Sequence, residues 1–428
     1  MLKYLSLSIE ALVMTALFVG VLRGYAKTLL DKAGSIIAAL GVLAGAVSAS
    51  VMAYMKNTTG KIDTSLWNYR IFMTFAISAA VFILLSLVLA FVRPLQKGKI
   101  GLIARIVSAL PIALMIMLIM LYSLPDVISY PYTILLVDQT AFSTEYLFKM
   151  IGLALAFLVV FLAELAVYRG MLRLSKWEVR GISYFAVLVV GVRLVLKTLQ
   201  IMLSKRMILP TDPNYKDYFE IVKFSSNNDI LFTYLILGVT AVIPIIIFIK
   251  SFLQKEPYSN PAEKRKIKKK WRVNRRWAVM TLVMGAAVLV NFFVIKPYVN
   301  KPVVLSPIED CKVIDGNVIV TPDQVEDGHL HRFAYTTPAG KDIRFIVIKK
   351  PNSQSYGIGL DACDICGETG YYERDGQVVC KLCDVVMNIS TIGFKGGCNP
   401  IVVPYTIENG NIVLPIDGLI PYEKTFKS

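Results

Sequence analysis

Two Cys-x-x-Cys pairs, Cys363/Cys366 and Cys380/Cys383, are separated by thirteen residues in CDICGETGYYERDGQVVCKLC, and Cys398 follows after another fourteen in GGCNP. Each pair sets two sulfurs on one tight turn, so two such turns at the ends of a hairpin supply four thiolates to one metal. The intervening GYYERDGQVVC carries a Asp-Gly turn signal at its tip and reads as that hairpin. Four-sulfur coordination suits a zinc ribbon, a rubredoxin-type iron or an iron–sulfur cluster. Disulfides are the competing use of exported cysteines, but a Cys-x-x-Cys loop is too short to make a good staple. A redox-active dithiol needs only one such pair. Met387, four residues beyond Cys383, offers a thioether suited to Cu(I) or, alternatively, to core packing. His331, at the start of a strand in GHLHRFAYTT, is a further candidate ligand or a hydrogen-bonded structural residue, and His329 shares its strand face. Cys311 lies outside the motif and reads as a buried or free thiol. Asp361 and Asp364 flank the first pair and set its turn.

A second constellation lies in apolar sequence. Glu10 sits in LSLSIEALVMTALFVGVLRG and Glu164 in LVVFLAELAVYRG. An ionised carboxylate at membrane depth costs several kcal/mol unless protonated, paired or hydrated, so such residues face a cavity or a partner. Arg193 and Lys197, at i and i+4 on one helix face, are the expected internal counter-charges. The alternative is that these groups fix helix packing or snorkel to the interface.

The elements that must position these residues are of two kinds. The chain has 428 residues, 55% hydrophobic, with a net charge of +16, which is too apolar for a soluble domain. Crossing about 30 Å of hydrocarbon takes roughly 20 apolar residues, and eight runs qualify: about 4–22, 33–54, 69–92, 102–122, 149–168, 181–203, 229–250 and 276–295. Glu10 and the lack of a clean small-residue cleavage site mark the first as a retained span, not a removable signal. Basic residues concentrate in alternate connections: Arg23, Lys27 and Lys32; Arg93, Lys97, Lys99 and Arg105; Arg169, Arg173, Lys176 and Arg180; and above all KRKIKKKWRVNRR from Lys264 to Arg276. Those connections are cytoplasmic by the positive-inside rule, which puts both the N-terminus and the chain after the last span outside. The same clustering argues against nucleic acid as the partner of the positive charge. A lipid- or calmodulin-binding helix is the other use of the Lys264–Lys270 run.

After Pro297 short alternating runs (NVIVT, HRFAYTT, IRFIVIKK) are separated by turn signals, which predicts a small, mostly β domain. The expected organisation is thus a helical membrane bundle over 1–297, with a cytoplasmic basic loop at 251–276, and an extracytoplasmic cysteine-bearing domain over 298–428. All six cysteines and both histidines fall in that second part. A bis-histidine haem in the spans is excluded by composition, and no GxGxxG or P-loop introduces a nucleotide.

Taken together, DACDICG, GYY and VCKLCDVVMNISTIGFKGGCNP resemble the C-terminal domain of the FtrD-like family, membrane iron–sulfur-containing proteins found beside bacterial ferrous-iron import components. The resemblance covers about 320–420. It implies an extracytoplasmic metal or redox domain anchored in the cell membrane, an iron–sulfur cluster or iron as cofactor with zinc or copper as alternatives, and partners such as a permease and periplasmic metal-binding or redox proteins. Carried over by position, the cofactor ligands are Cys363, Cys366, Cys380 and Cys383, with Cys398 as an additional one. SIEALVMTALFVGVLRG also resembles the first helix of the oxidase-coupled iron permeases, which opens on Arg-Glu-x-x-Glu. Glu10 aligns with that motif's second Glu, AELAVYRG around Glu164 is similar to a second copy, and Ser6 and Leu7 replace the Arg and first Glu. The expected function is electron transfer or metal handling in iron uptake. The alternatives are a cation transporter using Glu10 and Glu164, and a zinc domain that docks a partner.

Overall fold

The structure is a computed structural model that describes residues 1–59, 62–92, 98–138, 144–209, 211–254, 256–301, 303–351, 353–364, 366–374, 376–382, 385–395 and 399–426. It forms two compact units, Met1–Asn300 and Lys301–Ser428.

The first unit is helical: α1 (Leu2–Leu29), α2 (Asp31–Thr58), α3 (Thr64–Phe91), α4 (Gly98–Asp138), α5 (Thr144–Met171), α6 (Lys176–Ser204), α7 (Tyr215–Asn227), α8 (Ile230–Leu253) and α9 (Pro261–Val290). Among the described residues eight helices, all of these but α7, are long and apolar enough to cross a bilayer, one for each expected run. α1 is the most enclosed and packs chiefly along α5, while α2 lies along α4. Lipid tails offer no hydrophobic drive between helices, so close backbone approach through small residues takes its place. The buried stripe of α2 is Gly34, Ala38, Gly41, Gly45, Ala49 and Ala53, and a Cβ at Gly41 would meet Ala113 Cα at 2.7 Å.

Three features depart from the expected layout. α4 runs to Asp138, through Pro111, Pro125 and Pro131, so much of the fourth connection is helical. Two hydroxyls bond proline carbonyls there: Ser78 Oγ donates to Pro111 O at 3.0 Å and Ser129 Oγ to Pro125 O at 2.8 Å. The amphipathic α7 fills part of the sixth connection. Finally, most of the 251–276 segment is helix and not loop. Asn260 caps α9 by accepting from Glu263 N at 2.8 Å, with Pro261 in the first turn, so the basic run extends the last span. That span passes through a π-helical turn, Asn291–Ile295, into a last α-helical turn, Lys296–Val299.

The second unit holds β1 (Lys312–Ile314), β2 (Asn317–Val320), β3 (His331–Thr336), β4 (Asp342–Lys349), β5 (Tyr356–Leu360), β6 (Tyr371–Arg374), β7 (Gln377–Cys380), β8 (Val386–Met387), β9 (Thr406–Glu408) and β10 (Asn411–Pro415). They form three antiparallel sheets in the orders β1-β2-β10-β9, β3-β4-β5 and β6-β7-β8. Alternation along β4 divides the interior in two. Phe345 and Val347 enter a core with Phe333, Ile358, Leu360 and Phe426. Ile346 and Ile348 enter a smaller core with Cys363, Tyr371, Val378, Cys380, Met387 and Ile392.

Candidate metal centre

The first cysteine pair follows directly on β5. Cys363 and Gly367 bridge through two backbone bonds, Cys363 N to Gly367 O at 3.2 Å and Gly367 N to Cys363 O at 2.9 Å. Gly367 closes the turn at φ +65°, a conformation that favours glycine. Inside this turn the Cys366 N–H donates to Cys363 Sγ at 3.0 Å. The turn thus brings a backbone N–H of the pair onto the sulfur of its first cysteine.

The predicted hairpin is present as β6 and β7, with Tyr371 opposite Cys380 and Arg374 opposite Gln377. Lys381 N donates to Gly370 O at 3.0 Å, so Cys380 is registered against the chain leaving the first pair. Cys380 N donates to Val385 O at 3.0 Å. Cys363 and Cys380 are buried in the smaller core, with Cys366 packed against it. Met387, opposite Val378 on β8, lies in the same core. Cys383 and Cys398 lie outside the described residues. Among the described residues no three His, Cys, Asp or Glu side chains close on a common point. What the described part shows is the donor chemistry: an N–H···S turn and a registered Cys380, sulfur donors of the kind that suit a thiophilic metal or cluster.

The chain beyond Cys398 is fixed against β5. Leu360 N donates to Ile401 O at 2.8 Å and Ile401 N to Ala362 O at 3.0 Å. His331 is held by carboxylates: Glu309 Oε1 lies 2.9 Å from Nδ1 and Asp327 Oδ1 2.8 Å from Nε2. Burial disfavours the imidazolium, but the bonds and charges of Asp327 and Glu309 outweigh it and raise its pKa. His329 pairs with Glu373 at 2.9 Å. The half-buried Cys311 donates to Ala334 O at 3.4 Å, and burial and then Asp310 push its thiol pKa up.

The intramembrane charges are paired, though not as the sequence suggests. Glu164 accepts from Arg23 Nη1 at 2.7 Å, across α1 and α5. Glu10 accepts from Lys296 Nζ at 2.7 Å, 286 positions away. Arg193 grips Asp229 through two bonds of 2.9 and 2.7 Å, with Lys197 at 3.5 Å. Arg193 and Lys197 are therefore the counter-charges of Asp229, not of Glu10 or Glu164. Asp229 sits at the edge of its apolar run, where it looks like a loop residue, and only the packing of α6 beside α8 reveals the partnership.

Residues 325–426 match the family model described as membrane iron-sulfur containing protein FtrD-like. The FtrD-like match starts within the second unit and takes in both cysteine pairs, Met387 and GGCNP. No curated protein and no solved structure matches the chain. The eight apolar helices point to a multi-pass membrane protein, and the family that residues 325–426 match points to iron handling.

Sequence reasoning missed Arg332 and read Asp361 as a turn residue. They form an ion pair, Arg332 Nε to Asp361 Oδ2 at 2.7 Å, with both side chains almost wholly enclosed. The one available signal was an arginine inside the otherwise apolar alternation of HRFAYTT.

Proposed function

We propose that this protein carries an iron–sulfur cluster or iron on Cys363, Cys366, Cys380 and Cys383, on the outer face of the cytoplasmic membrane, and passes electrons to or from iron in an uptake system. Cys398 is the additional ligand on this reading, and Met387 lines the centre's apolar wall. The observation that carries it is the N–H···S turn at Cys363–Gly367 with Cys380 registered beside it, inside a segment matching an iron–sulfur family. Four thiolates hold such a centre, and the surrounding core keeps water from it, which together set its potential. The outer location follows from the alternation of basic connections. Partners are then a permease and exported metal-binding or redox proteins. The cation-transporter reading is weaker, because Glu10 and Glu164 each already hold a counter-ion.

The test is anaerobic purification of the full chain, with visible absorption and analysis of metal and acid-labile sulfide, beside a Cys363→Ser variant. Visible absorption lost in Cys363→Ser is the expected result. A colourless protein holding zinc would instead establish the docking-domain reading and end the electron-transfer one.

A further inference from the structure

We propose that the Arg332–Asp361 ion pair is the positioning element that sets the separation of the two cysteine pairs, acting through the backbone of Tyr371. The inference rests on the metal reading above. Asp361 precedes Cys363 by two residues, and Tyr371 stands opposite Cys380, so a link between them ties one cysteine pair to the other. The Asp361 carboxylate makes that link with both oxygens: Oδ2 accepts from Arg332 Nε, and Oδ1 accepts from Tyr371 N at 2.8 Å. Arg332 completes it from the other side. Its Nη2 donates to Tyr371 O, and its Nη1 donates to Ser306 O and to Ser306 Oγ, the latter at 3.0 Å. Tyr371 therefore has its N–H held by the acid and its C=O by the base.

The geometry of the sheet explains why a charged pair serves here. β6 is an edge strand of β6-β7-β8, and the N–H and C=O of a buried edge residue that face away from the ladder still need partners. A buried ion pair is a poor source of stability, because desolvation offsets most of the attraction. Its worth lies in directional bonds, and the planar guanidinium is the side chain that can make several at fixed angles. Arg344 extends the same device. Its Nη2 donates at 2.9 Å to Glu368 O, in the turn that leaves the first pair, and its Nε lies 3.6 Å from Asp361 Oδ2. The three side chains thus hold the chain before Cys363, after Cys366 and opposite Cys380, and none of them ligates the metal.

Two variants of the full-length protein test this. Arg332→Lys keeps a positive charge beside Asp361 but loses the fork to Tyr371 O and Ser306. Arg344→Gln removes the contact to Glu368 from a more exposed position. The readouts are the metal content and visible spectrum of the anaerobically purified protein and, after metal removal, the disulfides formed with diamide and mapped by mass spectrometry. In the wild type a large share should join the 363/366 peptide to the 380/383 peptide. In Arg332→Lys that share should fall about tenfold, the effect of one charge-assisted hydrogen bond, with bonds inside each pair replacing it and the spectrum altered. Arg344→Gln should change both in the same direction by less. An unchanged cross-linking pattern and spectrum in Arg332→Lys overturns the proposal. If Arg332→Lys does not fold, Arg344→Gln decides it by the same two readouts. A wild type without metal, whose cross-linking nevertheless falls in Arg332→Lys, refutes the metal reading while the positioning role stands.

Discussion

Gly359→Ala should loosen the chain that follows Cys398 without touching any cysteine. Gly359 lies in β5, whose five residues are all buried, and a Cβ there would come within 2.6 Å of Pro400 Cβ and 3.0 Å of Ile401 O. Carbon atoms pack at about 3.5–4.0 Å, so one side must retreat by about 1 Å. Neither side yields easily, because Pro400 Cβ belongs to a ring and β5 is paired with β4 through Phe345 to Lys349. The displacement falls on the two bonds that join Ile401 to Leu360 and Ala362. Overpacking of this kind costs about 1–3 kcal/mol, which corresponds to roughly 5- to 150-fold faster exchange of the affected amides if they open locally. Hydrogen-exchange mass spectrometry of the detergent-solubilised protein reads this at Leu360 and Ile401. Gly357→Ala is the matched comparison, since its Cβ meets Ile392 at 2.9 Å and not Pro400. If Gly359→Ala leaves exchange at Ile401 at the wild-type rate, the seating of Pro400 on β5 is refuted.

Three other outcomes are expected. His331 has a raised pKa, so its ion pairs with Glu309 and Asp327 contribute fully below its ordinary value of about 6.5 and are lost as pH rises through the raised value in the folded protein. The protection of β3 amides relative to their intrinsic, base-catalysed exchange should therefore fall from mildly acid to alkaline pH, by an amount in line with about 1 kcal/mol for partly exposed pairs, and His331→Gln should abolish that fall in protection. Arg23→Leu and Glu164→Leu should each destabilise the helical unit by about 3 kcal/mol, with the double variant well short of their sum; additive losses in thermal aggregation assays would deny the pairing. In a Lys268→Cys variant, labelling mapped to position 268 by mass spectrometry should occur with impermeant maleimide only when the cytoplasmic side is opened, and modification of that position from outside in intact cells would invert the topology.

Much of this architecture was legible because its determinants are local. Each span is a run of apolar residues long enough to cross hydrocarbon, and the alternations NVIVT, HRFAYTT and IRFIVIKK coincide with β2, β3 and β4. The hairpin between the cysteine pairs was marked by its turn residues, and the β6/β7 register confirms it. What escaped is the choice of partner across long separations. Nothing near Glu10 points to Lys296, and nothing near Arg193 favours Asp229 over Glu164. The helicity of α4 through three prolines was equally hidden, since proline locally signals a helix end and only packing against the neighbouring helices carries α4 past it.

The same distinction separates what the two units do with buried charge. In the helical unit Arg23–Glu164 joins neighbouring helices, and Lys296–Glu10 joins the end of the last span to the first. Each is a simple pair whose removal as a whole leaves a backbone already bonded to itself. In the second unit Asp361 and Arg332 pair with each other and also bond the main chain. Helices satisfy their own backbone, so charges among them are free to pair with one another. A small sheet with short strands leaves edge groups open, and a side chain that closes them also fixes where the strand lies. Cys380 lies on β7 beside the edge strand β6, where a shift of β6 would separate Cys380 from the first pair. Replacing both Arg332 and Asp361 with apolar residues should therefore preserve the fold better than either single change while still spoiling the cysteine geometry, a result that separates stability from positioning.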